Sequence, residues 1–340
     1  MTWMAWRLQR SLYLFYVTVS AVLIAFTITN GVHAEAIRRQ WQGNPCHGGN
    51  GFAAKYQSFC QGLDNGYIHS IDSGQYLHWM AVLPMAVLGL VLGANLVASE
   101  IDRNTVRTAW TQSMTRNRWF ITKVAVGLAS LILLAVPLCV TASWWISASH
   151  YTTRIQTNGF TYAGWMPIAV GVFAFAVATL VGTILRRPGW TVAAALAVTL
   201  TVMWGMQTDV RTSLVPLRST TIEMTSLTKG GVTVGVTKSQ APKSAWVVFS
   251  GFVPTDWSGG LPTWGQETKR IREVNRCTLS PTNLSSGYAA CLRKLNLRNV
   301  EMYVANNEYW TLQLREGGLY IGGAALLLGG SLLLVRRSRS

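Results

Sequence analysis

Long apolar runs separated by short polar, basic segments fill the first two thirds of the chain, and one more closes it. A membrane-crossing helix needs about 20 mostly apolar residues to span roughly 30 Å of hydrocarbon. Six runs meet that requirement: 12–32, 77–98, 120–146, 164–185, 190–206 and 319–335. Pro137 lies inside the third and predicts a kink there. The fifth is the shortest, but Arg186-Arg187-Pro188-Gly189 separates it cleanly from the fourth. The first is too long for the apolar core of a signal peptide, and no small-x-small cleavage site follows it. The expected fold is an all-α polytopic membrane protein with six transmembrane helices.

Composition agrees. A chain of 340 residues would suit two soluble domains, but half of it is hydrophobic and only 12% is charged, where soluble domains carry about a quarter. The net charge of +16 raises the question of nucleic acid, and the placement of the charges answers it. With six spans and the N-terminus inside, the cytoplasmic pieces hold 12 Lys and Arg in about 45 residues. The outer pieces hold 17 in about 175. Cytoplasmic enrichment in Lys and Arg sets orientation, so the basic surplus is a topology signal and no nucleic-acid partner is expected. Both termini are expected in the cytoplasm of a multi-pass cell-membrane protein. Trp79, Trp119, Trp144, Trp145, Trp165, Trp190 and Trp204 fall near the expected span ends, where an aromatic belt would sit.

Three stretches follow from this topology. Residues 1–206 carry the first five spans, with an outer loop at 31–76 and a cytoplasmic loop at 99–123. Residues 207–318 form an extracellular segment, and 319–340 hold the last span and a basic tail. The outer segment is long enough for a small domain. Strand-like alternation at 232–237 and 246–249, and helical stretches at 266–276 and 287–295, predict a small mixed α/β domain between helices 5 and 6. It has no Ser/His/Asp set, no paired carboxylates and no HExxH, so the chain is not expected to be an enzyme. Four of five cysteines fall outside: Cys46 with Cys60, and Cys277 with Cys291, each pair fourteen positions apart. An oxidising face favours two disulfides, each worth about 3 kcal/mol in a chain-entropy account. Four cysteines allow three connectivities, and pairing within each segment is the simplest. Cys139, in the third span, is expected to be a small buried apolar residue. No metal site is expected.

None of the six runs has Asp, Glu, Lys or Arg near its centre, which argues against proton coupling and ion conduction. A transported solute would then be apolar or amphipathic. A P-loop requires a Gly-Lys pair, and no Lys follows a Gly in this chain, so any driving energy comes from elsewhere. Gly89 and Gly93 form a GxxxG in the second span, which fits close helix approach either within the chain or across a dimer.

The cytoplasmic loop holds the most specific pattern. Read as a helix from Thr105, it sets Val106, Ala109, Trp110, Ser113 and Met114 on one face, surrounded by Arg103, Arg107, Arg116 and Arg118. Such a helix suits a lipid surface or the groove of a cytoplasmic partner. The run Asn104-Thr-Val-Arg-Thr-Ala-Trp-Thr-Gln-Ser-Met-Thr-Arg-Asn-Arg-Trp, with Glu100 before it and Lys123 after it, resembles the loop of actinobacterial ABC exporter permeases. These belong to the type-2 permease superfamily, which includes drug exporters of the ABCG kind. Trp3-Met-Ala-Trp-Arg-Leu-Gln-Arg, Val181-Gly-Thr-Ile-Leu-Arg-Arg-Pro and Tyr309-Trp-Thr-Leu-Gln-Leu-Arg-Glu also resemble that family's sequences.

The resemblance implies a coupling helix at 105–118 that docks on a separate ATPase. Glu100, Thr105, Arg107, Trp110, Gln112, Met114, Arg116 and Arg118 would form the contact set. It also implies two ATPase chains carrying the ATP and Mg, no cofactor in this chain, and a second permease copy in a homodimer within membrane lipid. The second and fifth spans would line the pathway, making Asn95, Thr199 and Met203 its candidates. The expected function is outward movement of a drug, peptide or lipid-like molecule. The competing reading is a membrane-anchored sensor or immunity protein whose outer domain binds a ligand without an ATPase.

Overall fold

The computed structural model describes residues 2–42, 62, 83–96, 115–149, 154–155, 157–229, 232–238, 240–242, 244–258, 260–262, 264–275 and 286–337. The chain divides into two compact units, one formed by Met1–Val210 with Thr311–Ser340 and the other by Arg211–Trp310.

The first unit is helical. Its helices are α1 (Thr2–Gln42), α2 (Leu83–Leu96), α3 (Arg116–Ser149), the short α4 (Thr157–Tyr162), α5 (Met166–Leu185) and α6 (Pro188–Gly205). The last helix, α9 (Tyr309–Arg337), belongs to it from Thr311 onward. Among the described residues, five helical segments are long and apolar enough to cross a membrane: Leu14–Ile37, Asn117–Ile146, Met166–Leu185, Pro188–Ser213 and Asn306–Arg337. The expected second span is represented by the shorter apolar helix Leu83–Leu96, because 77–82 and 97–98 lie outside the described residues. The last helix starts at Tyr309, ten residues before the expected span. The polar residues Gln313, Arg315 and Glu316 masked its first turns in the apolar pattern. Pro137 sits inside α3 without ending it.

Short local signals join α5 to α6. Arg186 takes the left-handed conformation (φ 56°) and its N–H closes onto Gly182 O. Arg187 is extended and Pro188 opens α6, where a missing N–H costs nothing. A two-residue link leaves these helices as packed neighbours.

α5 is the hub. Two thirds of its span is buried, against less than a third in each of the other four. α2 meets it backbone to backbone: a Cβ at Gly89 would lie 2.2 Å from Gly171 O, and one at Gly93 would lie 2.4 Å from Phe175 O. α3 reaches it at Gly127, which faces the Phe175 ring, and at Leu131. α9 reaches it through Gly323 against Phe173, with Tyr320 edge-on to the Phe173 ring at 5.5 Å. The GxxxG of the second span is therefore a within-chain seam. Met85, Leu88, Leu92, Leu131, Leu138, Phe175 and Ala324 share the resulting core.

The second unit is a small mixed fold. Strands β1 (Arg218–Thr221), β4 (Trp246–Pro254) and β5 (Leu297–Val304) form an antiparallel sheet in the order β1-β5-β4. Strands β2 (Glu223–Lys229) and β3 (Val232–Lys238) form a separate hairpin. Helices α7 (Trp264–Asn275) and α8 (Ser286–Lys294) complete it. Val253, Val300 and Met302 build its core with Phe249, Trp257 and Leu261. Arg270 lies 4.9 Å from the Trp257 ring and donates to Phe252 O, while Arg298 donates to Trp257 O.

The α2–α5 seam makes a direct prediction. Gly89→Ala and Gly93→Ala force backbone apart and are expected to destabilise the purified chain by about 1–3 kcal/mol, the usual cost of overpacking. Gly322→Ala, where a Cβ meets open space, serves as the control and is expected to leave the thermal midpoint unchanged. Equal midpoints for all three variants would refute the seam.

Candidate functional site

The loop that carries the expected coupling helix lies between α2 and α3. Glu100, Thr105, Arg107, Trp110, Gln112 and Met114 lie outside the described residues. The structure does describe the frame on the far side of the loop. Thr115 caps α3: the Arg118 N–H donates to Thr115 Oγ1 and the Trp119 N–H to Thr115 O. Capping of this kind satisfies donors that the first turn leaves open. Arg116 and Arg118 occupy that first turn, and Arg118 is exposed.

Both flanks of the loop are anchored in the core. Leu96 at the end of α2, Trp119 and Phe120 at the start of α3, and Val335 near the end of α9 belong to the cluster that contains Phe175. Arg336 Nε donates to Asn117 Oδ1 at 2.8 Å, so the last turn of α9 is tied to the first turn of α3. Lys123 lies 4.9 Å from the Trp119 ring centroid. Trp119 and Trp145 are buried, so they act in packing and not in an aromatic belt. Among the described residues, Trp190 and Trp204 are the most exposed of the tryptophans expected in that belt.

Of the expected pathway residues, Asn95 is half-buried on α2. Thr199 and Met203 belong to the buried stripe Thr191, Ala195, Thr199 and Met203 of α6. Both helices pack on α5. The span hydroxyls bond locally. Thr18, Thr27, Ser130, Thr141, Thr179, Thr191, Thr199, Thr201 and Ser331 each donate to the carbonyl four residues earlier. In hydrocarbon this is the least costly way to satisfy a hydroxyl.

Cys46, Cys60 and Cys277 lie outside the described residues. Cys139 is a free, buried thiol on α3, matching its expected role. Among the described residues, no group of three or more His, Cys, Asp or Glu is arranged to hold a metal ion.

Two buried polar side chains precede the 319–335 run that the sequence pattern marks as the last span. Gln313 and Glu316, on the early turns of α9, are fully buried. Gln313 Nε2 donates to Phe160 O at 3.2 Å and to Ala163 O at 3.0 Å, beside the short α4. Their i, i+3 spacing puts both on one helix face, a signal already present in Gln-Leu-Arg-Glu.

The local bonding of Thr199 gives a testable expectation. Thr199→Val keeps the shape and removes a hydroxyl that bonds within its own helix. Its thermal midpoint is expected to stay within the equivalent of about 1 kcal/mol of the unsubstituted chain. A larger loss would mean that the hydroxyl holds something beyond Ala195 O.

Comparison with curated proteins and with solved structures returns no match. Comparison with family models returns one, described as ABC-2 membrane transporter related, over residues 12–212. That match runs from the first described span through α6 and takes in the loop between α2 and α3. It covers more than half of the chain and accounts for the apolar helices found here, and on that ground this multi-pass membrane protein belongs to the ABC-2 membrane transporter related family of permeases.

Proposed function

We propose that the chain is the permease subunit of an ATP-driven exporter, and that separate ATPase chains drive it through the 105–118 helix. The carrying observation is the family match across 12–212, which spans the loop whose flanks, Leu96 and Trp119–Phe120, are seated in the Phe175 core. In this reading Trp110 and Met114 form the apolar face that enters the ATPase notch. Glu100, Thr105, Arg107, Gln112, Arg116 and Arg118 surround them. Thr115 stiffens the junction, so a push on the loop moves α3 as a rigid rod. The Asn117–Arg336 bond carries the same push to α9.

Two such permeases and two ATPases would make the working assembly, with ATP and Mg held by the ATPases. Both termini face the cytoplasm, following the Lys and Arg placement. The second unit is extracellular. Cys277 and Cys291 form one bridge on the oxidising outer face. Cys46 and Cys60 form the second bridge. The cargo is an apolar or amphipathic molecule, because charge is missing from the span centres. Asn95, Thr199 and Met203 are the candidates for its route.

The test uses the native complex. Co-purification from membranes is expected to recover an ATPase whose hydrolysis is stimulated by the permease. Trp110→Glu, which puts a charge on the docking face, is expected to abolish that stimulation and weaken the complex at least tenfold, as burial of an uncompensated charge requires. Intact stimulation in Trp110→Glu would remove the coupling assignment. Recovery of the chain with no nucleotide-binding partner would favour the ligand-sensing alternative.

A further inference from the structure

α4 and its turn hold a position that their own sequence cannot maintain. A helix of six residues is well below the length that persists without tertiary support, and its final carbonyls have no partner within it. Yet Ile155, Phe160, Thr161, Tyr162 and Ala163 are all buried. Side chains from two other helices supply what is missing. Gln313 of α9 spends both amide protons on Phe160 O and Ala163 O. Ser143 Oγ of α3 accepts the Gly164 N–H at 2.9 Å, and Gly164 turns the chain with a φ of 65°.

The rest of that α9 face is fitted to the same partner. A Cβ at Gly317 would strike the Trp165 ring at 2.5 Å, so the glycine leaves room for that ring against α9. Tyr320 then meets Phe173 edge-on. Gln313, Gly317, Tyr320 and Ala324 thus form one stripe seated on α4 and α5. Within that stripe the α5 part is apolar packing along a long helix. The α4 part includes two hydrogen bonds from the Gln313 carboxamide.

We infer that α4 is a gate segment at the end of the bundle where α9 begins, and that Gln313 is the latch that keeps it closed. Release of the two Gln313 bonds frees α4 while Ser143 keeps its hold on Gly164 and α5 stays packed against α2 and α3. The gating role rests on the permease reading above, and the latch itself does not. Because α9 is tied at its other end to the flank of the coupling loop through Asn117, a shift of α9 along its axis moves Gln313 off the two carbonyls. Gln313 is a positioning residue in this scheme and need not touch the cargo.

The experiment uses the full chain in liposomes with Thr161→Cys as reporter and a membrane-impermeant maleimide as probe, against the chain without the reporter. Thr161→Cys alone is expected to label slowly. Gln313→Met keeps the length and packing of the side chain but removes both donors. It is expected to raise the labelling rate about thirtyfold, the effect of two hydrogen bonds of ordinary net strength. An unchanged rate in a folded Gln313→Met chain overturns the latch. Should that variant fail to fold, hydrogen exchange of the unsubstituted chain decides. Exchange across 157–165 slowed at least a hundredfold relative to a free peptide supports the latch, and exchange at the free rate overturns it. In a complex that hydrolyses ATP, a non-hydrolysable nucleotide is expected to speed reporter labelling. No change there overturns the gate, whereas failure to find any ATPase strikes the permease reading and leaves the latch result standing.

Discussion

The approach of α2 to α5 at Gly89 and Gly93 sets the spacing on which the helical unit depends. Lipid tails are as apolar as leucine, so helices in a bilayer gain little from the hydrophobic effect when they associate. What remains is van der Waals packing, which improves as backbones approach, and weak contacts from Cα–H groups to carbonyls. Two glycines one turn apart allow that approach, and the carbonyls of Gly171 and Phe175 occupy the space a side chain would take. With α2 seated this closely, Phe175 is enclosed: its carbonyl faces α2 and its ring faces Gly127 of α3. The other helices then have fixed faces of α5 left to cover.

The same environment governs polar groups. A hydroxyl with no water nearby turns back to its own helix, and the threonines and serines of the spans do so. The threonines satisfy themselves without tying one helix to another, whereas Ser143 also accepts the Gly164 N–H. Gln313 behaves differently. Its carboxamide has two donors, and both reach carbonyls of another segment, Phe160 O in α4 and Ala163 O just after it. A polar bond between helices arises here because a short helix left carbonyls unmatched.

The second unit follows the rules of a water-soluble fold. Its core is small, centred on Val253, Val300 and Met302. Arginines take a packing role beside it: Arg270 covers the Trp257 ring while its guanidinium bonds Phe252 O, and Arg298 secures Trp257 O from the neighbouring strand. Long side chains with apolar stems and charged ends suit a unit with few large hydrophobic residues to bury.

Sequence alone determined the membrane class, most spans, and β3, β4, α7 and α8 of the second unit, because each rests on a local regularity. Apolar length marks a span, alternation marks strands such as Val232–Lys238, and the Arg-Arg-Pro-Gly break marks the α5–α6 turn. It also marked the loop motif through resemblance. Tertiary structure decided which of two uses the GxxxG serves, since one stripe of glycines fits a neighbour in the same chain or in another. It moved the start of α9 back to Tyr309, where Gln313, Arg315 and Glu316 lower the hydropathy that a window reads. Gln313 is tolerated there because it bonds Phe160 O and Ala163 O, residues some 150 positions away and beyond the reach of any local pattern.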